Sequence, residues 1–248
     1  MTRHPDWIVP DWPAPRNVRA LVTTRAGGVS GGPYESLNLG VSTGDDPAAV
    51  AENRARLRAA LPGEPVWLKQ VHGATVADAD LCPALVPADA SVATQAGVVC
   101  AIQVADCIPV LFADTRGCAV AAAHAGWRGL AAGVLENTVD ALRARGVPPE
   151  DVLAYIGPGI GPSAFEVGAD VYEAYTRNDA DAAAAFARKG ADKWLADLHA
   201  LARRALAKAG VVRIHGEPAC TYSDRARFFS YRRDRITGRM AALIWLEP

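Results

Sequence analysis

The 248 residues are half hydrophobic and 21% charged, with a net charge of −1. That balance allows a full core and excludes a surface-wide field that would draw in nucleic acid or an anionic membrane, so a small-molecule substrate is expected. Five cysteines, Cys82, Cys100, Cys107, Cys118 and Cys220, without a C-x-x-C pair argue against a disulfide framework, and no apolar run is long enough for a signal peptide or a bilayer span; the expected location is the cytoplasm.

In chain order, β-branched content and alternation predict strands near Val18 to Thr24 and Val66 to Val71. Between them a helix is expected from Asp46, where Asp45 or Asp46 caps and Pro47 suits the first turn, with Val50, Leu57 and Leu61 on one face and Pro62–Gly63 as the stop. Further strands are expected near Val98 to Val104, Val110 to Ala113, Ala119 to His124, Val152 to Ile156, Val211 to His215 and Met240 to Leu246. Helices are expected over Trp127 to Arg145, Gly168 to Arg177 and Lys193 to Ala209. Several strands read as continuous apolar runs, which suits strands covered on both faces. The expected fold is therefore α/β (α+β), a layered mixed β-sheet with flanking helices. Residues 1–248 read as one domain, with two subdomains meeting at the Gly/Pro cluster at 156–162 as the alternative description.

Three side chains stand out at strand ends. Cys107 precedes one apolar run, His124 closes the adjacent one just before Gly126, and His72 follows a short run and precedes Gly73. Two imidazoles and a thiolate suit zinc, whose catalytic sites keep a fourth position open. Read singly, each has a plainer meaning: Cys107 as a small core residue, His124 as part of a tightly packed turn, His72 as a solvated turn histidine. His215, also at a strand end, competes for the set. Asp106 could orient a histidine, bind substrate or serve only the turn. The residues from Ala125 to Gly129 open a helix whose N–H groups, with Arg128, could hold an anion. The glycine-rich segment around Arg25 and Asn38 can approach a ligand closely. Near the C-terminus Arg232 and Arg233 belong to an arginine cluster that is either an anion site or a solvated, locally paired face.

LKQVHG at 68–73, ADCIPVLFAD at 105–114, AAHAGWRG at 122–129, IGPGIGPSAFEVG at 156–168 and CTYSDRARFFSYRRDRITGRMAALIW at 220–245 occur in this order over nearly the whole chain. Together they resemble the laccase-like, multicopper polyphenol oxidase family, also described as purine nucleoside phosphorylase and as peptidoglycan editing factor. The resemblance implies zinc held by His72, Cys107 and His124 and a substrate contact from Arg25. It further implies phosphorolysis of adenosine, inosine, guanosine and methylthioadenosine, with adenosine deamination as an added activity. Hydrolytic editing of muramyl precursors, a copper-dependent polyphenol oxidase and a non-catalytic zinc-containing sensor are the alternatives. A homodimer is compatible with all of them. Copper also accepts two histidines and a cysteine. A multicopper cluster needs many more histidines in close His-x-His pairs, and the chain has five histidines and no such pair.

Overall fold

The computed structural model describes residues 4–82, 85–216 and 219–247. In chain order these form β1 (Val18–Val22), α1 (Pro47–Arg58), β2 (Pro65–Trp67), β3 (Val76–Asp78), β4 (Ala90–Ala93), β5 (Val99–Val104), β6 (Ile108–Asp114), β7 (Val120–Ala125), α2 (Trp127–Ala131), α3 (Val134–Arg143), β8 (Val152–Ile156), β9 (Glu166–Val167), α4 (Ala169–Thr176), β10 (Phe186–Arg188), β11 (Trp194–Ala196), α5 (Leu198–Lys208), β12 (Arg213–His215), α6 (Tyr231–Asp234) and β13 (Met240–Leu246).

Two mixed sheets stack face to face. One has the order β1-β13-β5-β2, the other β12-β8-β6-β7-β4-β3, and a small third sheet runs β10-β11-β9. Alternation decides which way each side chain goes. In β13, Ala242, Ile244 and Leu246 turn into the core between the sheets with Ile102, Leu111 and Val120, while Ala241, Leu243 and Trp245 pack outward with Leu37, Leu57 and Leu61 beside α1. In β6, Leu111 and Ala113 face the same inner core, whereas Ile108, Val110 and Phe112 pack with Leu135, Leu142, Leu201 and Leu206 of α3 and α5. Both faces of the central strands are thus buried, which explains their uninterrupted apolar sequence. The result is a layered mixed α/β fold with helices outside.

Most expected elements are present, and the differences have local causes. Asp46 caps α1 by accepting from Ala48 N at 2.9 Å. The long helix expected over Trp127 to Arg145 is two helices, because Gly133 adopts φ 89° and turns the chain between α2 and α3. The segment expected to be helical from Lys193 opens as β11, whose Trp194 and Leu195 pair with Val167 and Glu166, and the helix starts only after Asp197, which accepts from Ala200 N. Tyr172 stacks on Trp194 at 4.7 Å between ring centres and meets Phe186 edge-on, so aromatic packing holds that strand in place. The strand expected to Val71 stops at Trp67, since the chain then leaves the sheet for the His72 turn.

One rim of the six-stranded sheet collects the chemistry. β6 pairs antiparallel with β7 so that Pro109 faces His124 and Ile108 faces Ala125, and β7 pairs with β4 so that Ala90 faces Ala123. The start of β6, the end of β7 and the start of β4 therefore share an edge, and the turn leading to β3 lies beside them.

Candidate metal centre

At this rim the ring nitrogens of His72 and His124 and the Cys107 sulfur lie within 4.8 Å of one another. Cys107 Sγ is 3.9 Å from His72 Nε2, and the two imidazoles meet edge-on at 4.8 Å between centres. A tetrahedral zinc with bonds of about 2.0–2.3 Å sets its donors roughly 3.3–3.6 Å apart, so a small contraction closes this triangle on one ion. His124 is buried, Cys107 half-buried and His72 exposed, which leaves the centre open on the His72 side. Gly126 is part of the fit. A Cβ there would stand 2.9 Å from both Cys107 Sγ and His72 Cδ2, in the space in front of the donors.

Each donor is held by its own local structure. His124 ends β7, and His124 N donates to Asp89 O at 2.7 Å. His72 sits at φ 60°, a left-handed conformation that a side chain rarely adopts without support. Support comes from two neighbours. The Gln70 amide docks on Gln103 of β5 as a peptide group would, with Nε2 donating to Gln103 O at 2.8 Å and Oε1 accepting from Gln103 N at 2.7 Å. Asp89, fully buried at the start of β4, accepts at Oδ2 from Val71 N (3.1 Å) and Gly73 N (2.7 Å), and at Oδ1 from His72 N (2.9 Å). The same Oδ1 accepts from His124 Nδ1 at 2.8 Å. Cys107 follows Asp106, which sits at φ 90°.

The charges reinforce the geometry. Burial alone would push the Cys107 thiol up, but the His124 and His72 rings outweigh it and bring it down to about 6, so the thiolate, the coordinating form, dominates at neutral pH. Burial lowers His124, yet the Cys107 sulfur and Asp89 raise it to about 9. Burial also raises Asp89, and the His124 ring and the backbone N–H groups more than reverse that, holding the carboxyl below its usual range.

Asp106 does not orient a histidine. Its Oδ1 accepts from Thr221 Oγ1 and its Oδ2 from Arg232 N, both at 2.6 Å, so it ties the Cys107 turn to the C-terminal segment. The carboxylate that meets a histidine is Asp89, in a run of small residues where no spacing marks it. His215 stays outside the donor group, which is the sole group of three or more metal-capable side chains found among the described residues.

The remaining expected site residues lie in other settings. Arg25 and Arg233 line an open cleft of about 950 Å³ together with Glu35, Arg225 and Asp234, and none of the three donors lines it. Its link to the metal centre is α6, whose Arg232 N holds Asp106. Arg25 donates from Nε to Glu35 O at 2.6 Å and from Nη1 to Arg225 O at 3.1 Å, and its guanidinium lies over Phe229. Arg233 spends its guanidinium on Thr221 O, Tyr222 O, Phe228 O and the Asp234 carboxylate. Arg232 reaches Glu166 O and lies over Phe165. Asn38 is buried, donating to Thr43 Oγ1 and Asp45 Oδ2 and accepting from Gly40 N and Arg239 N. Arg128 is exposed and lies over Trp127. The Trp127 carbonyl accepts from the hydroxyl of the half-buried Tyr175, a contact that fixes the first turn of α2.

The profile of the family described as "Multi-copper polyphenol oxidoreductase laccase" matches residues 19–247. The chain belongs to this family. Among relatives, one from Escherichia coli named purine nucleoside phosphorylase YfiH is 56% identical over 96% of this chain and 98% of its own. One of the same enzyme name from Pseudomonas aeruginosa is 54% identical over 97% and 98%. Crystal structures of similar fold include a Neisseria meningitidis protein, 51% identical with TM-score 0.92 over 98% of this chain and all of the other. YlmD from Geobacillus stearothermophilus is 32% identical, with TM-score 0.91 over 100% and 98%. Family members thus carry both an oxidase description and a phosphorylase name. No helix among the described residues is long and apolar enough to cross a membrane.

Proposed function

We propose that the chain is a zinc-dependent purine nucleoside phosphorylase acting on a small-molecule nucleoside and phosphate. The observation that carries this reading is the convergence of His72, Cys107 and His124 around a space kept free by Gly126, in a chain whose relatives bear the phosphorylase name. A thiolate and two imidazoles would hold the ion, leaving a position for substrate on the exposed side. Bound there, zinc supplies Lewis acidity toward a substrate heteroatom. The laccase description finds less support: a single three-donor group among the described residues cannot hold several coppers.

Phosphorolysis breaks the bond from the ribose anomeric carbon to the purine nitrogen, with the electron pair leaving on the base, while a phosphate oxygen bonds to that carbon. The phosphate needs cations, and Arg25 and Arg225 face the cleft beside the segment anchored on Asp106. Burial holds Arg25 below its usual pKa, as does the nearby Arg233. A dianion would relieve both effects. We assign Arg25 the substrate contact and Asn38, Arg232 and Arg233 the task of shaping the loops around it.

Adenosine is the discriminating substrate. With phosphate present it should yield adenine, at a rate that rises with phosphate and falls by about 100-fold or more in Cys107→Ala, a loss of at least roughly 2.7 kcal/mol in transition-state stabilisation. Conversion to inosine with no phosphate requirement would contradict phosphorolysis and support deamination. Absence of turnover on any nucleoside would leave precursor hydrolysis or sensing.

A further inference from the structure

We propose that Asp89 is the positioning residue of the metal centre, fixing both the tautomer of His124 and the backbone turn that presents His72. The inference rests on the metal reading above and extends it to a residue that does not itself face the ion.

Each carboxylate oxygen receives two N–H donors. Oδ1 takes His124 Nδ1 and His72 N, and Oδ2 takes Val71 N and Gly73 N. An acceptor at Nδ1 obliges His124 to keep a proton there, so Nε2, the nitrogen facing Cys107, is the one that gives up its proton when an ion binds. The three hydrogen bonds from peptide N–H groups hold His72 in its left-handed conformation, so one buried group sets the separation of two ligands that are distant in sequence. Asparagine has the same shape but one oxygen. If its amide nitrogen faces His124, that nitrogen opposes a ring N–H and favours the tautomer with the proton on Nε2, which cannot ligate. If it faces Val71 and Gly73, it opposes two backbone donors and the His72 turn loosens.

Asp114 supplies a matched control. It is equally buried, lies at the far end of β6 and accepts from Arg116 N and Cys118 N, with no histidine in its reach. The experiment measures zinc affinity by competition with a chromophoric chelator. It also reads His124 ring-nitrogen protonation by long-range ¹⁵N–¹H NMR, with zinc and, without it, above pH 9 where the ring is neutral, for wild type, Asp89→Asn and Asp114→Asn. Asp89→Asn should raise the zinc Kd about 10–100-fold and move either the His124 ring signals or the amide signals of residues 71–73. Asp114→Asn should lower the unfolding midpoint while leaving zinc affinity and the His124 ring at wild-type values. Equal zinc affinity and unchanged signals in Asp89→Asn, or equal loss in Asp114→Asn, would overturn the proposal. So would a wild-type His124 protonated on Nε2 alone, a reading that stands even if the Asn variant does not fold. Wild-type protein that takes up no zinc would sink the metal reading, while the ring-nitrogen measurement would still decide this one.

Discussion

The donor rim and the arginine-rich segment from Tyr222 to Arg239 are comparably dense in side chains that build sites, and the fold uses them in opposite ways. At the rim, His72, Cys107 and His124 leave their donor atoms facing one another, because a neighbouring carboxylate and a glutamine satisfy the surrounding backbone. In the segment, Arg232, Arg233 and Arg239 turn their guanidiniums onto backbone carbonyls that no sheet or long helix satisfies. Reactive side chains become a site where the backbone around them is otherwise paired. Where it is not, the same kinds of residue serve as its hydrogen-bonding partners.

The strongest way to break this contrast is Arg233→Ala. It removes bonds to three carbonyls and an ion pair whose arginine side chain is 9% exposed, and should cost about 3–4 kcal/mol in urea unfolding. A loss below about 0.5 kcal/mol would put Arg233 with the ligand-facing residues instead. Next comes Gly126→Ala. Its φ of −71° suits any residue, so the cost comes from the methyl's 2.9 Å contacts with Cys107 and His72: stability should fall by about 1–2 kcal/mol, and zinc binding should weaken about 100-fold, roughly 2.7 kcal/mol by competition titration. Asn38→Ala should destabilise by about 1–3 kcal/mol by orphaning buried partners around Asp45 and Arg239, with KM rising only through loop disorder. A normal unfolding midpoint together with a raised KM would make Asn38 a direct substrate contact. The smallest effect is expected of Arg128→Ala, within about 0.5 kcal/mol of wild type in stability, since the side chain is exposed and lies only on Trp127.

Much of the sheet framework was legible because burial on both faces writes itself into sequence. Met240–Leu246 and Val152–Ile156 form strands over the expected residues, as their unbroken apolar character implied. Short strands such as Val76–Asp78 and Phe186–Arg188 carry no such run, and their pairing partners decide them. Lys193 to Ala209 misleads because alanine content suggests a helix throughout, whereas Trp194 is claimed by its stack on Tyr172, and the real start signal is the Asp197 cap. At the rim, the three donors were readable as polar residues at strand ends. Asp89 was not, because a carboxylate that acts by accepting distant N–H groups leaves no local pattern. Asp106, next to a donor in sequence, drew attention for a role that Asp89 fills in space.

The most direct test of the central claim is the metal content of the purified protein together with X-ray absorption at the zinc edge. The account predicts one zinc per chain, bound by one sulfur and two imidazole nitrogens with a further light atom, and loss of the sulfur signal in Cys107→Ala. A fully folded protein that retains no metal after loading, or whose zinc has no sulfur neighbour, would contradict it.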